Sequence, residues 1–275
     1  MPVECLLAGI FGLLFGSFLN VCIHRLPRGQ SVVRPRSHCP NCERQIPAIE
    51  NIPLISYLAL RGRCRNCRWR IPWRYPIVEL LTGLLFAFFV CRDGLTVEAG
   101  RDCVLISILV VLAFTDLETR LLPEEFTIGG IVLGLVFSLV APIPDGIAGA
   151  IFGLAGRIAS VAESVLGAFV PALVLWLTGW AFEKIRHKEG LGFGDVLLLA
   201  AIGAFLGLKS ALFTLVVASL AGSIIGLAYI LISRKEIGSY KLPLGFFLGL
   251  AAIFVCAFGQ PVMRWYFGLL AMFLN

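Results

Sequence analysis

Residues 192–208 read GFGDVLLLAAIGAFLGL, a carboxylate at Asp195 followed by a dozen almost wholly apolar residues. A carboxylate at the mouth of a membrane helix is costly unless it faces protein or water, which makes Asp195 a functional candidate. A second one, Asp116, closes the apolar run 103–116. The chain around them is 59% hydrophobic and 15% charged, with a mean hydropathy of +0.91. A soluble domain carries about 25% charged residues, so the composition predicts a polytopic membrane protein.

Apolar stretches run over 5–23, 76–91, 103–116, 126–142, 163–182, 195–208, 210–232 and 244–260. These predict an all-α bundle of about eight transmembrane helices. Trp265–Leu274 reads as a ninth partial segment or an interfacial helix, and the glycine-rich stretch 143–162 as a re-entrant or interfacial piece. The N-terminal run has Glu4 in place of a basic leader region and is followed by arginines, so it reads as a retained anchor.

The net charge of +6 does not indicate nucleic acid, because the cations are confined to a few loops. With alternating spans, 25–75, 117–125, 183–194 and 233–242 share one face and hold 18 of the 23 lysines and arginines. The positive-inside bias puts that face in the cytoplasm, with both termini outside. Asp116 and Asp195 then meet the same side, a result that uses no motif.

The polar block 25–75 carries Cys39-Pro-Asn-Cys42 and Cys64-Arg-Asn-Cys67, with 21 residues between the pairs. Two such pairs supply four thiolates to a tetrahedral ion, and zinc is the expected metal. Arg61, Arg63, Arg65 and Arg68 favour the thiolates. In a reducing cytoplasm, metal is a better reading than two disulfides. His38 reads as surface, and His24 and His187 as interfacial. Cys5, Cys22 and Cys256 read as packing residues, and Cys91 and Cys103 as a pair that an oxidising compartment could join.

Aspartyl hydrolysis needs two carboxylates close enough to share a proton, one acting as acid while the other activates water. Seventy-nine positions separate Asp116 from Asp195, so only the fold can bring them together. Gly192 and Gly194 leave the backbone free for a tight geometry and a close approach by substrate. A GxGD string alone is weak evidence, because glycine turns before helices are common.

The ordered motifs add to it. They are Gly16-Ser17-Phe18-Leu19-Asn20-Val21, Arg25-Leu26-Pro27, the two CxxC pairs, Asn51-Ile52-Pro53-Leu54, Leu60-Arg61-Gly62-Arg63-Cys64 and Arg74-Tyr75-Pro76-Ile77-Val78-Glu79-Leu80-Leu81-Thr82. Asp116 with Leu122-Pro123, and Glu189-Gly190-Leu191-Gly192-Phe193-Gly194-Asp195, complete the series. In this order the chain resembles the type IV prepilin peptidases, membrane enzymes of the GxGD aspartyl protease class.

The resemblance implies that Asp116 and Asp195 are catalytic, with Gly192 and Gly194 in the supporting loop. It implies cleavage of the basic leader of type IV prepilins or type II secretion pseudopilins after a glycine, at the cytoplasmic face of the bacterial inner membrane. It also implies N-methylation of the new terminus from S-adenosylmethionine. No glycine loop for that donor is spelled in the sequence, and Glu79, Asn20 and Arg25 are the candidates for holding it. Glu79 has a competing reading as an ion-pair partner of Arg74.

The implied domains are an anchor over 1–24, a cytoplasmic four-cysteine zinc domain over 25–75 and a membrane-embedded peptidase over 76–275. Partners are the prepilin substrates and membrane lipid, whose anionic heads the basic block can meet. Three departures stand out: Leu197 where the family commonly has lysine, Pro243-Leu244-Gly245-Phe246 in place of Pro-Phe-Gly-Pro, and an apparent insertion over 143–162. The competing readings are a peptidase that does not methylate, like the preflagellin peptidases, and a metal-dependent membrane assembly or transport protein. The CxxC block opposes the first, and the lack of an acidic ladder across the bilayer opposes the second.

Overall fold

The computed structural model of the protein describes residues 2–143, 146–187, 191–233 and 243–274. Lys188, Arg234, Lys235 and Lys241, which entered the charge count, and Glu189-Gly190 of the second aspartate motif lie outside those residues. The elements are α1 (Val3–Arg25), α2 (Ile55–Ala59), α3 (Arg74–Asp93), α4 (Val97–Thr119), α5 (Glu124–Val140), α6 (Ile147–Phe152), α7 (Gly156–Arg186), α8 (Phe193–Ser233) and α9 (Leu244–Leu274). Among the described residues no strand forms, and the only bridges are two isolated ones in the polar block.

Five of these helices are long and apolar enough to cross a membrane, α1, α3, α7, α8 and α9. α5 is short at 17 residues, and α4 carries acidic residues near both ends. α8 runs 41 residues but breaks at Gly207, with φ 80° and ψ 173°, into two arms. The chain is therefore an all-α, multi-pass membrane protein. The tail beyond Trp265 is no separate segment, because α9 continues through Pro261 to Leu274.

Contacts divide the chain into two units, 1–115 and 116–275. In the first, α1 lies along α3 through Gly12 and Gly16, a small-xxx-small spacing that lets membrane helices approach closely. A Cβ on Gly12 would fall 2.8 Å from the Thr82 carbonyl oxygen, and one on Gly16 2.8 Å from the Glu79 Cα. The exposed flank of α1 carries Leu6, Leu7, Ile10, Phe11 and Leu14, suited to lipid. A disulfide joins Cys5 to Cys91, near the start of α1 and the end of α3. It corrects two expectations, since Cys5 is no mere packing residue and Cys103 stays a free thiol.

In the second unit α7 packs on α8 so closely that a Cβ on Gly203 would land on the Gly167 carbonyl. One turn away, Ser164 Oγ donates to the Ala204 carbonyl at 2.6 Å. The break at Gly207 frees the Leu208 N–H, which donates to Glu163 Oε1 at 2.9 Å. Glu163 Oε2 accepts the Ala148 N–H from α6, also at 2.9 Å. The described part of the 143–162 stretch is thus a short helix and the first turns of α7, tied down by a carboxylate that is 1% exposed. Backbone groups left over by a break in an apolar medium must find partners inside the protein, and here a side chain supplies them.

The disulfide gives a direct test. Alkylation of the purified protein followed by peptide mass analysis should leave Cys5 and Cys91 unlabelled until reductant is added. Labelling of both before reduction would refute the bond.

Candidate active site and metal centre

Three helix ends in the second unit meet around Gly245. Asp116 comes from the last turn of α4, Asp195 from the first turn of α8, and Gly245 from the first turn of α9. A Cβ on Gly245 would lie 3.0 Å from Asp116 Oδ2 and 3.2 Å from Asp195 Oδ1. The two carboxylate oxygens are therefore no farther apart than those two distances end to end, within reach of a shared water or substrate oxygen. The Phe246 N–H donates to Asp116 Oδ2 at 2.9 Å. The backbone of Gly245 faces both carboxylates as well. Asp116 is buried and Asp195 half-buried.

Gly192 and Gly194 of the GxGD loop flank this arrangement. Neither Gly192 nor Gly194 takes a positive φ. Gly194 instead provides room, since a Cβ there would sit 3.0 Å from Leu122 Cβ. Gly192 is exposed, its Cβ position 3.4 Å from Asp195 Oδ2, and its carbonyl accepts the Asp195 N–H at 3.1 Å. Sequence reasoning missed Gly245 and Phe246 as parts of the site. Their signal was the Pro243-Leu244-Gly245-Phe246 string, noted only as a departure.

In the first unit the four cysteines converge. The Sγ atoms of Cys39, Cys42, Cys64 and Cys67 all lie within 4.8 Å of one another, with Cys39 and Cys67 at 3.7 Å. Four thiolates at about 2.3 Å around a tetrahedral ion stand roughly 3.8 Å apart, so the set fits zinc.

The two knuckles are built alike. The Cys39 N–H donates to the Arg44 carbonyl and the Glu43 N–H to the Cys39 carbonyl. The Cys64 N–H and Arg68 N–H repeat the pattern with Trp69 and Cys64. Glu43 and Arg68 occupy matching positive-φ positions, at 56° and 59°. Even the bridges match, His38 to Gln45 and Arg63 to Arg70. The asparagine of each CxNC string reaches across, Asn66 to Cys42 and Asn41 to Cys67. Glu50 links the two halves, pairing with Arg44 at 3.2 Å and Arg65 at 3.3 Å.

These contacts prepare thiolates. The Arg44 N–H holds the Cys42 thiol below its ordinary value, the Cys67 N–H does so for Cys64, and the Asn41 side chain for Cys67. Burial pushes Cys39 up to about 11, so its thiolate depends most on the charge of a bound cation. His38 is exposed and stands outside the thiolate set.

Beside the knuckles lies a cavity of about 590 Å³, within the size range of small-molecule sites. Asn20, Arg25 and Glu79, the three candidates named together from the sequence, all line it, and Cys39 and Cys64 form part of its wall. The Asn20 Nδ2 donates to the Tyr75 carbonyl at 3.0 Å, while its Oδ1 is buried without a partner. Glu79 Oε2 accepts the Leu54 N–H at 2.9 Å, and Ser17 bonds to the same carboxylate. Arg25 turns its guanidinium to the carbonyls of Ser31 at 3.0 Å and Arg36 at 3.5 Å, and so braces the loop that frames the cavity.

Two family models match the chain. The bacterial peptidase A24 N-terminal domain covers residues 10–92, and the type IV leader peptidase family covers 103–227. A prepilin leader peptidase/N-methyltransferase of Aeromonas hydrophila is 39% identical over 94% of this chain and 91% of its own length. The chain belongs to the prepilin leader peptidase family.

Other family members of the same name are similar over much of the chain. That of Pseudomonas aeruginosa is 34% identical over 94% of this chain and 91% of its own, and that of Myxococcus xanthus 41% identical over 85% and 65%. No solved structure matches. The N-terminal family model contains the four cysteines and the cavity residues Asn20, Arg25 and Glu79. The peptidase model contains Asp116 and Asp195 and ends before α9, so Gly245 and Phe246 fall outside it.

The crossed asparagines give the metal site its test. Replacement of either Asn41 or Asn66 by alanine should weaken zinc retention against a competing chelator by about 10- to 100-fold, the effect usual for groups that orient ligands. Cys67→Ser should lose the ion outright. Wild-type protein purified without chelators and lacking stoichiometric metal would refute the site.

Proposed function

We propose that this chain cleaves the basic leader from type IV prepilins or type II pseudopilins and then N-methylates the exposed terminus. Asp116 and Asp195 carry the hydrolysis. One carboxylate activates water for attack on the carbonyl carbon of the glycine that ends the leader. The other gives a proton to the departing nitrogen as the C–N bond breaks. The observation that carries this reading is the placing of both carboxylates within 3.2 Å of one point at Gly245, although they are far apart in sequence. Gly192 and Gly194 shape the loop that presents Asp195.

The relatives' shared name and the cavity support the methyl transfer. Its buried acceptor at Asn20 and the Glu79 carboxylate suit a ligand with N–H donors and positive charge, such as S-adenosylmethionine. That donor supplies an electrophilic methyl group when bound. Asn20 and Glu79 hold and orient, and Arg25 keeps the framing loop closed over them. Zinc on the four cysteines stiffens one wall, which ties the metal to the methylation half rather than to peptide-bond chemistry.

We place the protein in the bacterial inner membrane with the dyad and the 25–75 block toward the cytoplasm, on the strength of the cation-rich loops. In this scheme 1–24 is the anchor, 25–75 the zinc-held domain and 76–275 the peptidase. A peptidase without methylation is the weaker alternative, because it leaves the cavity and its orphaned acceptor without a use.

Cleavage of a model prepilin in membranes by wild type, Asp116→Ala and Asp195→Ala tests the peptidase. Both variants should accumulate normally and lose processing by several orders of magnitude. Normal processing by either would remove the dyad. Asn20→Leu should leave cleavage intact while incorporation of labelled methyl groups falls at least tenfold, about what a lost buried hydrogen bond costs. Undiminished methylation by that variant would remove Asn20 from the donor site.

A further inference from the structure

Position 246 differs in kind from the string that the chain otherwise resembles. Where Pro-Phe-Gly-Pro ends in a residue with no backbone N–H, this chain has Phe246, whose N–H points at Asp116 Oδ2 over 2.9 Å. We infer that the Phe246 backbone amide is a positioning group of the peptidase site, fixing the Asp116 carboxylate and stabilising its anionic form. This rests on the reading of Asp116 and Asp195 as the catalytic pair.

Three observations converge on it. Phe246 is the third residue of α9, and the first four N–H groups of a helix have no intrahelical acceptor. Its N–H is thus available, and Asp116 takes it. Gly245, immediately before, has room only for hydrogen, so α9 presents its first turn directly to the pair. The positive end of the α9 macrodipole meets the carboxylates there. Finally, half-buried Leu197 puts no cation at position 197, and the charged groups that face Asp116 among the described residues are Asp195 and the exposed Arg120. A charge-assisted N–H···O bond is stronger and more directional than its neutral counterpart, and it costs no mobile side chain.

The amide works through geometry. It engages Oδ2 of Asp116, beside the Gly245 backbone that faces the same carboxylate. Held this way the carboxylate is kept from rotating, which preserves the alignment on which proton transfer depends. The Phe246 side chain has no part in this, and only the backbone group is required.

The test removes the N–H and leaves the rest. Phe246→Pro deletes the donor at a first-turn position where proline is tolerated. Phe246→Leu keeps the donor and changes the ring. A third protein carries the α-hydroxy analogue of phenylalanine at 246, which replaces N–H by oxygen without a ring constraint. Cleavage of a model prepilin is measured in membranes across pH, with Asp116→Ala alongside.

The proline and ester proteins should lose roughly 10- to 100-fold in kcat with KM little changed. Their pH–rate profiles should be displaced, while the leucine variant, which keeps the N–H, should hold the wild-type profile whatever its rate. If the proline and ester proteins both behave like the leucine variant, the inference is overturned. If Asp116→Ala itself still cleaves, the underlying dyad reading falls instead, so the two failures are distinguishable.

Discussion

The peptidase half depends on a missing side chain. At Gly245 the first turn of α9 reaches between two carboxylates borne by α4 and α8, and any Cβ there would press on both. Three helix ends share one small volume because the residue in the middle occupies almost none of it. The approach also accounts for the donors, since only bare backbone so near can offer N–H groups to an aspartate. Spacing of the two carboxylates is therefore held by helix packing.

The same economy recurs where α1 meets α3. Gly12 and Gly16 bring the two backbones together, and next to that seam Asn20, Ser17 and Glu79 collect on one wall of the cavity. The opposite wall is irregular chain, which has little apolar surface of its own to fold around. The four-cysteine cluster and the two crossed asparagines gather that chain around one point. In this unit the cysteine cluster, the loop and the membrane helices line one cavity.

Much of this was legible in the sequence for physical reasons. Apolar runs must satisfy the bilayer, so each expected span appears as a helix or helical arm, with α4, α7 and α9 running well beyond the expected bounds. The CxxC pairs were readable because tetrahedral ligation dictates local spacing. Gly245 and Phe246 were not, because their contribution is the absence of a Cβ and the presence of a backbone N–H, neither of which leaves a chemical label. Asn41 and Asn66 resemble ordinary turn residues until the second knuckle is placed against the first. The Cys5–Cys91 bond links residues 86 positions apart, and only the pairing of α1 with α3 makes it evident.

Glu163 carries a consequence for how the molecule is made. Its carboxylate has one donor in α6, which precedes it in the chain, and another at Leu208, which follows it by 45 positions. A ribosome delivering the chain in order inserts α7 before that second donor exists. Until the far arm of α8 arrives, one oxygen of that buried side chain lacks its donor. The docking of α7 is therefore completed by residues made later.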